Sequence, residues 1–244
     1  MKINKWMGLF GLSLTLLAGG AAAELKAGRD YKPLATQQAV ETGDKVEVIE
    51  FFWYGCSHCF DLEPFLKKWV ATLPKDVEFR HIPAVPTERW LPNARTYYTL
   101  EALNLLDRLH GEVFDAIHID RVNFNDEKIQ LEWMAKKGVD KRKFSEAWKS
   151  FSVQGKTKRA VQLTQAYGVT GVPTLVVDGK YMTSVGMAGS PEGLMKTLDE
   201  LIVKARAERG GVKGENEKKP EGNKKKQGKD NKQKAKAKPQ TTSK

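Results

Sequence analysis

The only two cysteines of the 244-residue chain stand three apart, in Cys56-Ser57-His58-Cys59, where a run of strand-forming residues gives way to a helical pattern. Thiols at that spacing can close a disulfide and pass it on by exchange. A thiolate on Cys56 would face the unpaired backbone N–H groups and positive dipole end of the helix, which lowers its pKa. A protonated His58 pushes in the same direction. A low pKa makes Cys56 a good leaving group and stabilises the reduced dithiol, which destabilises the disulfide. The pair is therefore expected to be oxidising and to donate its disulfide to other proteins. Two plainer roles compete. Half of a zinc site would need further ligands, and His58 and His81 can be imagined as supplying them. With no second Cys pair and no pair of His at finger-like spacing, no metal is expected. A purely structural bridge closing so short a loop gains little, because stabilisation by a cross-link grows with loop length.

The elements that must position this motif are legible from the apolar pattern. Val46 to Tyr54 (VEVIEFFWY) is β-branched and aromatic, suited to a strand buried on both faces, and Gly55 breaks it. Leu62, Phe65, Leu66, Trp69, Val70 and Leu73 then recur at helical spacing up to Pro74, with Pro64 expected to kink the first turns. Val77 to Ile82 is a second strand, which makes a right-handed strand, helix, strand unit. Residues 84–169 read as mainly helical, with Phe144, Ala147, Trp148 and Phe151 as one i, i+3, i+4, i+7 set. Pro173 to Val177 and Lys180 to Ser184 flank the tight-turn dipeptide Asp178-Gly179. Ser190 and Pro191 then start a last helix with Leu194, Leu198, Leu201 and Ile202 as its stripe. Two acids interrupt the first strand. Glu47 reads as outward-facing, whereas Glu50 lies within the apolar run, where a carboxylate is costly unless paired or neutral.

The ends differ in kind from the middle. Lys2 and Lys5 precede an uncharged stretch from Trp6 to Ala23, apolar in its centre and small at its end. Residues 1–23 read as a cleaved secretory signal peptide with Ala21 and Ala23 at the cleavage-determining positions; an uncleaved anchor would be at the short limit for spanning. Export implies an oxidising compartment. Residues 210–244 hold twelve Lys against four acids and almost nothing apolar, so they are expected to form a disordered tail able to bind an anionic surface. Of the formal charge of +11, that tail carries +8 and residues 1–23 carry +2, leaving +1 for residues 24–209. A core so near neutrality lacks the basic footprint of a nucleic-acid-binding domain, and none is expected to bind there.

Glu50-Phe51-Phe52-Trp53-Tyr54-Gly55-Cys56-Ser57-His58-Cys59, followed far downstream by Gly171-Val172-Pro173-Thr174 and Val177-Asp178-Gly179-Lys180-Tyr181, resembles the DsbA family of thiol:disulfide oxidoreductases over roughly residues 30–203. The resemblance implies an α/β, thioredoxin-like fold with an inserted helical domain: residues 24–83 and 170–209 would make the thioredoxin part and 84–169 the insertion. It also implies a periplasmic dithiol oxidase without a cofactor, acting on reduced, unfolded exported proteins and reoxidised by a quinone-linked inner-membrane protein. Cys56 corresponds to the exposed nucleophile and Cys59 to the buried resolving thiol, with His58 setting the redox poise. Pro173 corresponds to a cis-proline opposite the motif, leaving the backbone of Val172 to pair with an extended substrate. Glu50 corresponds to a buried acid beneath Cys59 that exchanges protons with it. One departure stands out, since Arg80-His81 occupies the place where some members put a Lys beside that acid. An isomerase or reductase of the same fold is the main alternative, although Glu24 to Asp44 is too short for an added dimerisation domain. An exported polyanion-binding protein with a structural disulfide ranks below both, because the core is nearly neutral.

Overall fold

The computed structural model of the chain describes residues 25–216; the signal-peptide reading, and the tail reading beyond residue 216, lie outside them. Five strands form one sheet in the order β1-β5-β4-β2-β3. They are β1 (Lys32–Pro33), β2 (Val46–Phe52), β3 (Val77–Pro83), β4 (Thr174–Val177) and β5 (Tyr181–Thr183). The apolar run of β2 is buried at every position, and its parallel pairing with β3 follows a crossover through helix α1 (Ser57–Val70). On its other side β2 pairs antiparallel with β4. The helix continues through Pro64 to Val70.

Between β3 and β4 come α2 (Leu91–Ala102), α3 (Leu106–His118), α4 (Glu127–Lys136), α5 (Lys141–Lys149) and α6 (Phe151–Ala166), entered by a 3₁₀ turn at Glu88–Trp90. The chain then returns to the sheet, adds the short α7 (Val185–Ala188) and ends its described part in α8 (Pro191–Asn216). This is the thioredoxin-like arrangement with an inserted helical domain. The described residues up to Ala207 belong to one compact unit, and those from Glu208 to a separate one. Helix α8 continues past residue 209, where the sequence reading began the tail.

Two cores flank the sheet. Val46, Val48, Leu175 and Val177 pack with Leu62 and Leu66 of α1 and with Leu194, Leu198, Leu201 and Ile202 of α8. Ile49, Phe51 and Val176 join the opposite core, built largely from the inserted helices, including Leu109, Val113, Phe114 and Phe144. Each of these side chains contributes about 1.5–3 kcal/mol when fully buried. Asp126, Asp140 and Ser150 cap α4, α5 and α6 with their side chains. That last cap corrects the helical reading: Ser150 ends α5 and starts α6, so Phe144 and Trp148 are buried while Phe151 is 90% exposed.

The hairpin turn behaves as its residues require. Asp178 and Gly179 both have positive φ, 56° and 62°. A Cβ on Gly179 would collide with the backbone carbonyl of Gln38, whose own N–H donates to the Gly179 carbonyl at 2.9 Å. The two-residue β1, which the sequence reading missed, pairs with β5 through Lys32 opposite Met182 and Pro33 opposite Tyr181.

Candidate active site

Strand β2 delivers the chain to a tight turn ahead of the cysteines. Gly55 sits against the Trp53 indole so closely that any Cβ would enter the ring, and that indole stacks on Trp90 with centroids 4.2 Å apart. Cys56 is the N-cap of α1: its N–H donates to the Trp53 carbonyl at 2.9 Å and its carbonyl accepts from the Phe60 N–H at 3.1 Å. No side-chain oxygen caps this helix end, so the first-turn N–H groups are left to the sulfur. Cys56 is half-buried and Cys59 is 1% exposed, and both are free thiols. The Cys56 pKa falls to about 6, because the Cys59 thiol donates to it and the backbone N–H groups of Cys59 and His58 and the His58 charge add to that, against the opposing effect of burial. Cys59 moves the other way, driven up first by burial, then by its bond to Cys56 and the negative charge of Glu50. His58 itself is exposed.

Across from the motif, the loop ahead of β4 carries a cis Val172–Pro173 bond, and the Cys56 Sγ donates to the Val172 carbonyl at 3.4 Å. Beside them runs an open groove of about 710 Å³ whose walls include His58, Leu62, Val172, Pro173, Met182 and Met187.

Behind the cysteines the two acids of β2 have separate partners. Glu47 is 1% exposed, which corrects its reading as an outward-facing residue: the inserted helices cover that face of the strand. Arg80 donates to Glu47 at 2.7 Å and to Glu41, also at 2.7 Å. Glu50, likewise 1% exposed, lies 3.2 Å from His81 Nε2. Burial raises the Glu50 pKa, partly offset by His81. The His81 pKa is raised as well, since its two acid neighbours, Glu50 and Glu63, outweigh the opposing effect of burial. The Arg80-His81 pair is thus split between two acids, and the residue facing Glu50 is the His.

The structure brings Cys56, Cys59, His58, Val172, Pro173 and Glu50 into one region of the fold. Three neighbours escaped the sequence reading. Glu63, on α1, lies one helical turn beyond Cys59, a spacing that could have pointed to it. His110 comes from α3 and bonds Tyr54 Oη through Nδ1 at 2.8 Å. His118, at the end of the same helix, bonds the Tyr54 carbonyl at 2.8 Å and stacks on Phe60. Nothing in the spacing of the two histidines signalled their approach to the motif.

The model of the DSBA-like thioredoxin domain family matches residues 87–198. The chain is 40% identical over 198 residues to the thiol:disulfide interchange protein DsbA of Pseudomonas aeruginosa PAO1, covering 80% of this chain and 94% of that one. It is 40% identical over 185 residues to the protein of the same name from Azotobacter vinelandii, covering 76% and 86%. The crystal structure of Pseudomonas aeruginosa DsbA superposes with a TM-score of 0.73 at 40% identity, over 76% of this chain and 97% of that one.

Proposed function

This chain belongs to the DsbA family and is a thiol:disulfide oxidoreductase that introduces disulfide bonds; from that premise we propose that Cys56 and Cys59 are its redox pair, with exported proteins as substrates. A substrate thiolate attacks the Cys56 sulfur of the oxidised pair. The Cys56–Cys59 bond breaks, a mixed disulfide forms on Cys56, and Cys59 leaves as a thiolate. Its strongly raised pKa makes it take up a proton at once, and Glu50 is the buried acid that supplies it. A second substrate thiolate then attacks the substrate sulfur of the mixed disulfide. Cys56 departs as the stable thiolate, and two electrons have passed from substrate to enzyme. His58 holds that thiolate by its charge, while Val172 and Pro173 offer backbone and an apolar wall to an extended substrate in the groove.

The observation that carries this reading is the opposed setting of the two sulfurs, one lowered to about 6 at an uncapped helix start and one raised in the core. Such a pair favours the reduced state and so gives its disulfide away. The setting of the chemistry is the periplasm, reached through residues 1–23 as a cleaved signal, with a quinone-linked membrane protein restoring the disulfide. Among the described residues no helix is long and apolar enough to cross a membrane. The thioredoxin part comprises residues 24–83 and 170–209, the insertion 84–169, and the Lys-rich segment 210–244 is a tail for anionic surfaces. Equilibrating the purified protein with glutathione buffers tests the direction of transfer. The expected potential lies on the oxidising side of the glutathione pool; a value more reducing than about −250 mV, in the range of general reductants, overturns it.

A further inference from the structure

Glu63 meets two imidazoles. His110 Nε2 lies 3.6 Å and His81 Nε2 4.0 Å from Glu63 Oε2, and the two rings are 4.7 Å apart between centroids. Those separations are too long for hydrogen bonds. Both Nε2 atoms are buried; His81 Nε2 also has Glu50 at 3.2 Å, whereas His110 Nε2 has no hydrogen-bond partner. His110 is 8% exposed, so its bare nitrogen is an anomaly: a buried polar atom is ordinarily satisfied. Among the described residues this is the one group of three His, Cys, Asp or Glu side chains whose donor atoms fall within 4.8 Å of one another.

We propose that Glu63, His81 and His110 form a binding site for a divalent transition-metal ion of the zinc class. Two imidazoles and one carboxylate, with a fourth position left open, are a donor set that such ions accept. Metal–ligand bonds of about 2.0–2.1 Å in a tetrahedron place neighbouring donors about 3.3 Å apart, so the side chains, now 3.6 and 4.0 Å from Glu63 and all within 4.8 Å of one another, must move inward to close the set around an ion. The outer contacts are those a metal-binding His requires. His110 is tied through Nδ1 to Tyr54 Oη at 2.8 Å, which leaves Nε2 pointed at the site. Phe52 packs edge-on against both rings, 5.6 Å from His81 and 5.3 Å from His110. An ion can enter without unfolding the protein, because Glu63, His81 and His110 line an open groove of about 620 Å³ with Phe60, Lys67 and Phe114. The three ligands come from α1, β3 and α3, so the ion would join the thioredoxin part to the inserted helices.

The test uses the oxidised full chain, in which the disulfide removes both thiolates as competing ligands. Zn²⁺ titrated by calorimetry is expected to bind at one equivalent, and Co²⁺ to give a tetrahedral visible spectrum without a thiolate charge-transfer band. Glu63→Gln and His110→Gln are each expected to weaken binding by about tenfold or more, and Tyr54→Phe by about tenfold to a hundredfold. His58→Ala, at the exposed motif, is expected to bind as the parent does. If His110→Gln does not fold, Glu63→Gln, a neutral near-isostere at a partly exposed position, decides alone. Absence of Zn²⁺ and Co²⁺ binding overturns the proposal, as does affinity unchanged in the folded ligand variants or abolished by His58→Ala.

Discussion

Glu47 and Glu50 lie three residues apart on β2, each 1% exposed, yet neighbouring residues of β3 serve them in different ways. Glu47 receives the guanidinium of Arg80, which never loses its charge, and Arg80 in turn holds Glu41 and with it the segment leading into the sheet. Glu50 receives the imidazole of His81, which can gain or lose a proton, and sits on the side of the strand toward α1 and Cys59. The first pairing is a brace; the second, on the function proposed above, is a proton store. Strand position sends them to opposite faces, and the chemistry of the partner there completes the difference. The two sulfurs repeat the contrast over a single helical turn, since the same element exposes Cys56 to uncapped N–H groups and encloses Cys59 in the core.

The brace should break with the largest effect. Arg80→Met leaves Glu47 buried and unpaired and should cost about 3 kcal/mol, seen in calorimetry as a Tm lower by about 10 °C, with the potential of the cysteine pair unchanged. Glu50→Gln should do the reverse: at neutral pH it slows the steps that protonate or deprotonate Cys59 by up to about a hundredfold in stopped-flow exchange, while its Tm shift stays smaller than that of Arg80→Met. An Arg80 variant that moves the potential, or a Glu50 variant that only lowers Tm, would dissolve the distinction.

The smallest effect concerns pH. Folding lowers the Cys56 pKa from 9.0 to about 6, so between those values the unfolded reduced chain binds more protons than the folded one. The stability this thiolate adds to the reduced form is therefore present toward the upper value and lost as pH falls through about 6. Denaturant unfolding of the reduced form, with the oxidised form subtracted as reference, should show the advantage rising from pH 6 to pH 8. A flat difference would mean that Cys59 and the first-turn N–H groups do not hold the Cys56 thiolate.

How much of this was legible in the sequence depends on whether the signal was local. Cys56, His58 and Cys59 declare themselves because chemistry and spacing coincide, and Glu50 does so because a carboxylate in an apolar strand needs a reason. Glu47 was misplaced because alternation along a strand suggests a wet face, whereas the inserted helices cover it. Phe151 was misplaced because apolar spacing continued across Ser150, a helix start that ends the stripe. Glu63 and His110 approach one another only because α3 of the insertion folds back against α1, a contact that no local pattern encodes.

Strand β1 has a consequence for a protein that introduces disulfide bonds into other chains. Sheet edges recruit extended peptides, and a recruited peptide could seed aggregation instead of exchanging its thiols. Here one border of the sheet is a strand of two residues, Lys32 and Pro33, one charged and the other without an N–H. The opposite border, β3, ends at Pro83 and carries the charged Arg80–Glu41 pair. Both margins are poor templates for a visiting chain, which favours the docking at Val172, beside the sulfur, proposed above.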